Sequence, residues 1–270
     1  MDIGGIVRQL VEADGRPAFN AIDRKESQAS GRLSGLGRLK SSLSDFRLAT
    51  GKLKDLGVFS THQATSSNED IVTASAGLGA AAGSYSLEVQ QLAQAHKLTS
   101  NGYTDYNDVV GSGTLTLSVA GNSFSVELDA TNNSLDGVRD AINQAGDNTG
   151  VNASIVNVDD GVGGTVSKLV LTAQDTGTAN TITVTAVEDA AVPGLSDLVY
   201  DPAGSGVTNL NQQVEAKDSK IVVDGQLATR SSNSVGDVIQ GVTLDLQTAE
   251  LGTTFNLDVS LDEESVKTVT

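Results

Sequence analysis

His62 and His96 are the only imidazoles in this chain, and it has no cysteine. Imidazoles, thiols and paired carboxylates do most of the acid–base, nucleophilic and metal-binding chemistry of proteins. The two histidines lie in different segments, and neither has metal-ligand spacing around it, so both are expected to be solvated polar residues. "DDGVGG" (159–164) sets two carboxylates among three glycines and faintly resembles a calcium-binding turn. It lacks the further acidic ligands that calcium needs, and a tight turn explains it better. No Gly-x-Ser-x-Gly elbow and no phosphate loop occurs. Carboxylates are abundant enough for chance pairs, but no aromatic-lined cleft is indicated for glycoside chemistry. The expectation is a protein without catalytic residues, cofactor or metal.

Charge and composition narrow the class further. The formal net charge is −17, unevenly placed: residues 1–56 hold 10 of the 17 Lys and Arg against 7 acids, and everything after them is strongly acidic. An acidic surface repels nucleic acid and anionic membrane, so neither is expected as a partner. The basic residues of 1–56 alternate with acids and read as the solvated face of a helix. No stretch approaches ~18 uninterrupted apolar residues, and no leader with a cleavage site is present. With aromatics at 3% and no Trp, any core must be built from Val, Leu, Ile and Ala.

The elements then follow from periodicity. Residues 2–56 are helical in pattern, with "DGRP" (14–17) expected to break the helix and Pro17 to open the next one. Leu36, Leu39, Leu43, Phe46 and Leu53 step by three and four, with Thr50 at one core position, as in a coiled-coil seam. Either this stripe packs on the chain's own β region, or its partner lies elsewhere. The small-residue stretch 57–83 reads as a linker leading away from the helix and favours the second. From residue 84 the chain is mostly β. A strand over Tyr85–Val89 is expected to turn helical through Leu92. Hairpins are expected at 113–128 and at 220–230, the latter turning at Asp224-Gly225. A short helix over 133–146 is capped at Ser134, strands fall at 151–158, 168–174 and 180–187, residues 189–213 are irregular, and 254–262 is a last strand.

"NSLDGV" at 133 is echoed by "NSVGDV" at 233, each after a hairpin. The second is therefore also expected to be a capped helical turn, followed from Val242 by a strand. Two such units could converge on Asn-Ser caps; duplication of one unit accounts better for the matching hairpins.

The same residues resemble the bacterial flagellar filament-capping family, hook-associated protein 2. "DIGGIVRQLVEADGRP" looks like its opening helix, and "SSNEDIVTASA" with "SYSLEVQQLAQAHKLTS" is similar to its first β segment. "GTLTLSVAGNSFSVEL", "NSLDGVRDAINQAG" and "KLVLTAQDTGTANTITVT" resemble the hook-filament insertion motif shared with some flagellins. "SKIVVDGQLATRSSNSVGDVIQGVTLDL" is similar to the return into the middle domain. The resemblance covers essentially the whole chain, in order. It implies an α+β chain: a long N-terminal helical, coiled-coil type leg, then two nested, β-rich domains with short helices. The leg is 1–56, a linker 57–69, a discontinuous middle domain 70–111 and 214–262, and an inserted outer domain 112–213. Residues 263–270 would begin a C-terminal helical segment that pairs with the N-terminal helix in the family, making this chain a fragment. The implied function is a homo-oligomeric ring, pentamer or hexamer, capping the flagellar filament tip. It would promote folding and insertion of exported flagellin beside the hook-filament junction proteins, and would be exported by the type III route without signal cleavage. The alternative function is a tip adhesin binding mucin or another host receptor through the outer domain.

Overall fold

The computed structural model describes residues 3–52 and 61–263. It divides into two units, residues 1–61 with 262–270, and residues 62–261. The first is built on one helix, α1 (Ile3–Lys52). The helix runs through Pro17 without the expected break. Proline's fixed φ is itself helical, so one proline removes one hydrogen bond and does not have to end a helix flanked by several turns on each side.

The second unit is β-rich. In chain order its strands are β1 (His62–Ser66), β2 (Val72–Ala76), β3 (Gly83–Gln91), β4 (Ala95–Thr99), β5 (Gly113–Val119) and β6 (Asn122–Leu128). After α2 (Leu135–Gln144) come β7 (Val151–Asp159), β8 (Thr165–Thr176), β9 (Thr183–Glu188), β10 (Tyr200–Asp201), β11 (Val207–Thr208) and β12 (Asn211–Val214). The last are β13 (Ser219–Val223), β14 (Gln226–Arg230), β15 (Ser234–Ile239), β16 (Val242–Leu246) and β17 (Phe255–Leu261).

Two hydrophobic cores organise these strands. In one, the sheet β1-β17-β3-β13-β14 and the ribbon β15-β16-β2 bury Val72, Leu87, Ile221, Leu244, Phe255 and Leu257. In the other, the sheets β11-β10-β9-β5-β6 and β12-β4-β8-β7 enclose Leu98, Leu115, Leu171 and Ile182 together with Leu135, Val138 and Ile142 of α2. The alternation of Leu115, Leu117 and Val119 with threonine and serine puts one face of β5 inward. Asp224 (φ 48°) and Gly225 (φ 81°) make the tight turn between β13 and β14 that their types foretell. Residues 189–213, irregular by pattern, carry a one-turn helix at Leu195–Leu198 whose two leucines are buried, and the short strands β10 to β12.

Three other expectations are corrected. Residues 62–66 and 72–76, inside the stretch read as small-residue linker, are strands; β1 pairs with β17, far downstream, and such a pairing leaves no local signal. β3 runs to Gln91 where helix was expected, and Leu92 packs partly buried against the first-named core. Most tellingly, "NSVGDV" is not a helix. Ser234–Ile239 is a strand, and its register against β16 shifts between Val235, opposite Leu244, and Ile239, opposite Val242. A strand returns residues four apart to the same face, and the two extra residues here keep Val235 and Ile239 both buried, so the spacing mimics a helix. The Asn233 side chain does no capping. Its Oδ1 accepts from Ala93 N–H at 2.7 Å and its Nδ2 donates to Ala93 C=O at 3.0 Å, as a neighbouring strand would. At Asn133-Ser134 the cap is real: Ser134 Oγ accepts from Gly137 N–H at 3.1 Å. The echo is one of sequence, not of structure, and the duplication loses its second helix.

Candidate interaction surfaces

His96 is fully buried on β4, not solvated as expected. Its Nδ1 accepts the backbone N–H of Ile182 at 3.0 Å, and its ring lies 5.6 Å from that of Tyr200. The proton therefore sits on Nε2, which has no hydrogen-bond partner among the described residues. Burial holds its pKa below the ordinary histidine value, partly countered by Glu215. A neutral, backbone-bonded, sealed imidazole is a structural group. His62 lies half-buried on β1, in a different sheet.

The carboxylates are spent on turns. Asp160 of "DDGVGG" accepts from Val162 N–H and Gly164 N–H, both at 2.8 Å, which lowers its pKa. Glu188 accepts from Ser196 and Gly194, and Asp201 from Ser205 and Gly204, with the same effect. Among the described residues no group of three or more potential metal ligands forms. Arg139 pairs with Asp136 and Asp140, and Arg230 with Asp237, at the surface. Among the described residues nothing assembles a nucleophile, base and orienting group.

What the molecule does present is surface. On α1, Leu36 (63% exposed), Leu39, Leu43 and Phe46 all face solvent. At ~100° per residue they fall within an arc of roughly 80°, and Ile3, Val7 and Leu10 share its direction. Thr50, at a core position of this seam, donates from Oγ1 to Phe46 C=O at 2.9 Å and is satisfied within the helix. Leu53, the last predicted seam residue, lies outside the described residues. Burying one such leucine is worth about 1.5–3 kcal/mol, so a helix this apolar on one side gains most of its stability from whatever covers it.

A second surface escaped the sequence reading. The outer face of β12-β4-β8-β7 carries a shallow groove of about 330 Å³ lined by Lys97, Thr99, Val156, Val158, Lys168, Val170 and Gln213. The signal was present in "VNASIVNV": apolar residues at both parities of one strand mean that the outward face is apolar too. Among the described residues no helix is long and apolar enough to cross a membrane.

Comparison with known proteins places these surfaces in context. A family profile described as flagellar hook-associated protein 2 N-terminus matches residues 1–96, the corresponding C-terminus profile matches 216–269, and the flagellin hook IN motif matches 114–175. The B-type flagellar hook-associated protein 2 of Pseudomonas aeruginosa is 37% identical, over 98% of this chain and 57% of its own length. The flagellar hook-associated protein 2 of Escherichia coli K12 is 32% identical, over 88% of this chain and 49% of its own length. The chain thus spans about half the length of the curated relatives it matches. Among solved structures, the D1-D2-D3 domains of the Escherichia coli flagellar cap protein FliD superpose with a TM-score of 0.73 at 31% identity, covering 86% of this chain and 64% of that one. The D2-D3 domains of the same protein superpose at 0.66 and 31% identity, covering 75% and 99%. FliD (HAP2) of Pseudomonas aeruginosa PAO1 superposes at 0.62 and 34% identity, covering 73% and 90%.

Proposed function

The chain belongs to the flagellar hook-associated protein 2 family, a family of structural flagellar proteins and not of enzymes, and on that premise we propose that it is a subunit of the cap at the distal end of the bacterial flagellar filament. There it promotes the folding and insertion of exported flagellin. The observation that supports this reading is the exposed stripe Leu36, Leu39, Leu43 and Phe46, which suits an assembly face. In the proposed arrangement residues 1–56 form the leg, and Leu53 extends the same seam. The strands β1 to β3 with β13 to β17 form the middle domain and β4 to β12 the outer one, so the middle domain takes in residues before 70 and gives 95–111 to the outer one. The seam takes a helix of the full-length protein. Copies close into a ring of five or six, contacting flagellin and the hook-filament junction proteins. The subunit reaches the tip by type III export without signal cleavage.

The test is genetic. A strain lacking the protein is expected to shed unpolymerised flagellin, and the wild-type gene is expected to restore filaments while Leu43→Asp does not. Normal filaments in the deletion strain would overturn the cap reading. Filaments that grow normally while removal of 112–213 abolishes receptor binding would replace it with the adhesin.

A further inference from the structure

Among the described residues β7 is an edge strand of its sheet, paired only with β8. An edge strand turns every second residue's N–H and C=O away from the sheet. On β7 these are the odd-numbered residues, and the first two are covered by side chains that imitate a neighbouring strand. Asn148 Oδ1 accepts from Val151 N–H at 2.9 Å while its Nδ2 donates to Val151 C=O at 2.8 Å. Asn143 of α2 does the same to Ala153, at 2.9 and 2.8 Å. The register with β8 continues without a shift to Asp159, so the backbones of Ile155, Asn157 and Asp159 point outward as well. Among the described residues no group bonds to those outward N–H and C=O groups. The sheet's other edge, β12, is short and interrupted by a register shift, a device that blunts an edge. Half of β7 lacks any such device.

We infer that residues 155–159 of β7 are a pairing edge for the same segment of a second copy of this chain, joined antiparallel about Asn157. Two features of the segment make it its own complement. With Asn157 opposite its counterpart and Ile155 opposite Asp159, all outward backbone groups meet as hydrogen-bonded pairs. On the outer face, Val156 (44% exposed) then lies opposite the second copy's Val158 (37% exposed), so four valines cover one another. No carboxylate faces another in this register, which matters for a chain of net charge −17. Five residues a side bury well under the ~1,000 Å² of a stable interface, so the contact is weak alone and acts where other contacts already hold copies together. It adds to the cap reading without resting on the helical seam.

The test uses the 270-residue chain carrying Leu43→Asp, which keeps the seam of α1 out of the measurement. Amide hydrogen exchange is followed at about micromolar and at about millimolar chain concentration. The amides of Asn157 and Asp159 are expected to slow by about tenfold at the higher concentration. Adding Val156→Lys and Val158→Lys is expected to abolish that slowing with circular dichroism unchanged. Exchange at 155–159 that is independent of concentration would overturn the inference, whether fast or slow. So would slowing that appears only when flagellin monomer is added, which would assign the edge to that partner.

Discussion

Leucine means opposite things in the two parts of this molecule. On α1, Leu36, Leu39 and Leu43 are more than half exposed; in the β-rich unit, Leu98, Leu169 and Leu171 are at most 1% exposed. The β unit covers its own apolar residues between sheets, as an independent body must. On the helix Leu36, Leu39, Leu43 and Phe46 share one side and are bare. The lesson is one of dependence: the β-rich unit carries its own stability, whereas on the proposed reading the helical unit needs a partner.

The contrast can be broken most easily from the buried side. Leu171→Ala should cost about 2–5 kcal/mol, read as a shift in the urea midpoint of the β unit, because it opens a cavity in a sealed core. A loss near zero would mean the core is not packed as described. Next comes pH. The unfolded chain takes up a proton at His96 once pH falls below the ordinary value of 6.5, whereas the buried, Ile182-bonded ring resists it. Stability present at higher pH should therefore decline as pH drops from about 8 to about 5, and a His96→Phe chain should show a flatter profile there. Further into acid, Asp160, Glu188 and Asp201 have folded-state pKa values held low by backbone donors, so the stability they lend is present above their unfolded pKa and fades as pH falls through the folded one. Ser134→Ala should cost about 1 kcal/mol through its lost cap, measurable by thermal melting. Smallest of all, Leu43→Asp should leave the melting of the β unit unchanged, since it removes no buried contact; a lower melting temperature would erase the contrast.

What could be read from the sequence follows the range of each signal. Strict alternation and the Asp224-Gly225 turn gave β5, β6, β13 and β14, because neighbours in sequence decide them. The seam spacing gave the exposed stripe but could not say whether anything covers it. β1 leaves no local signal because the strand it pairs with, β17, lies at the far end of the chain. "NSVGDV" reads as a helix because a strand and a helical turn both return residues four apart to one face, and because Asn-Ser serves equally as a cap and as a strand mimic. His96 looked solvated because nothing in "QAHKL" tells which face of a strand turns inward until the second sheet is in place.

The central claim is that the α1 stripe is an assembly face and that the β-rich unit folds without it. Its most direct test is sedimentation velocity of the protein with and without Leu43→Asp, alongside thermal melts of both. The account predicts closed oligomers for the parent, their loss in the variant, and the same melting transition for the β unit. Oligomers of unchanged size in the variant would contradict it.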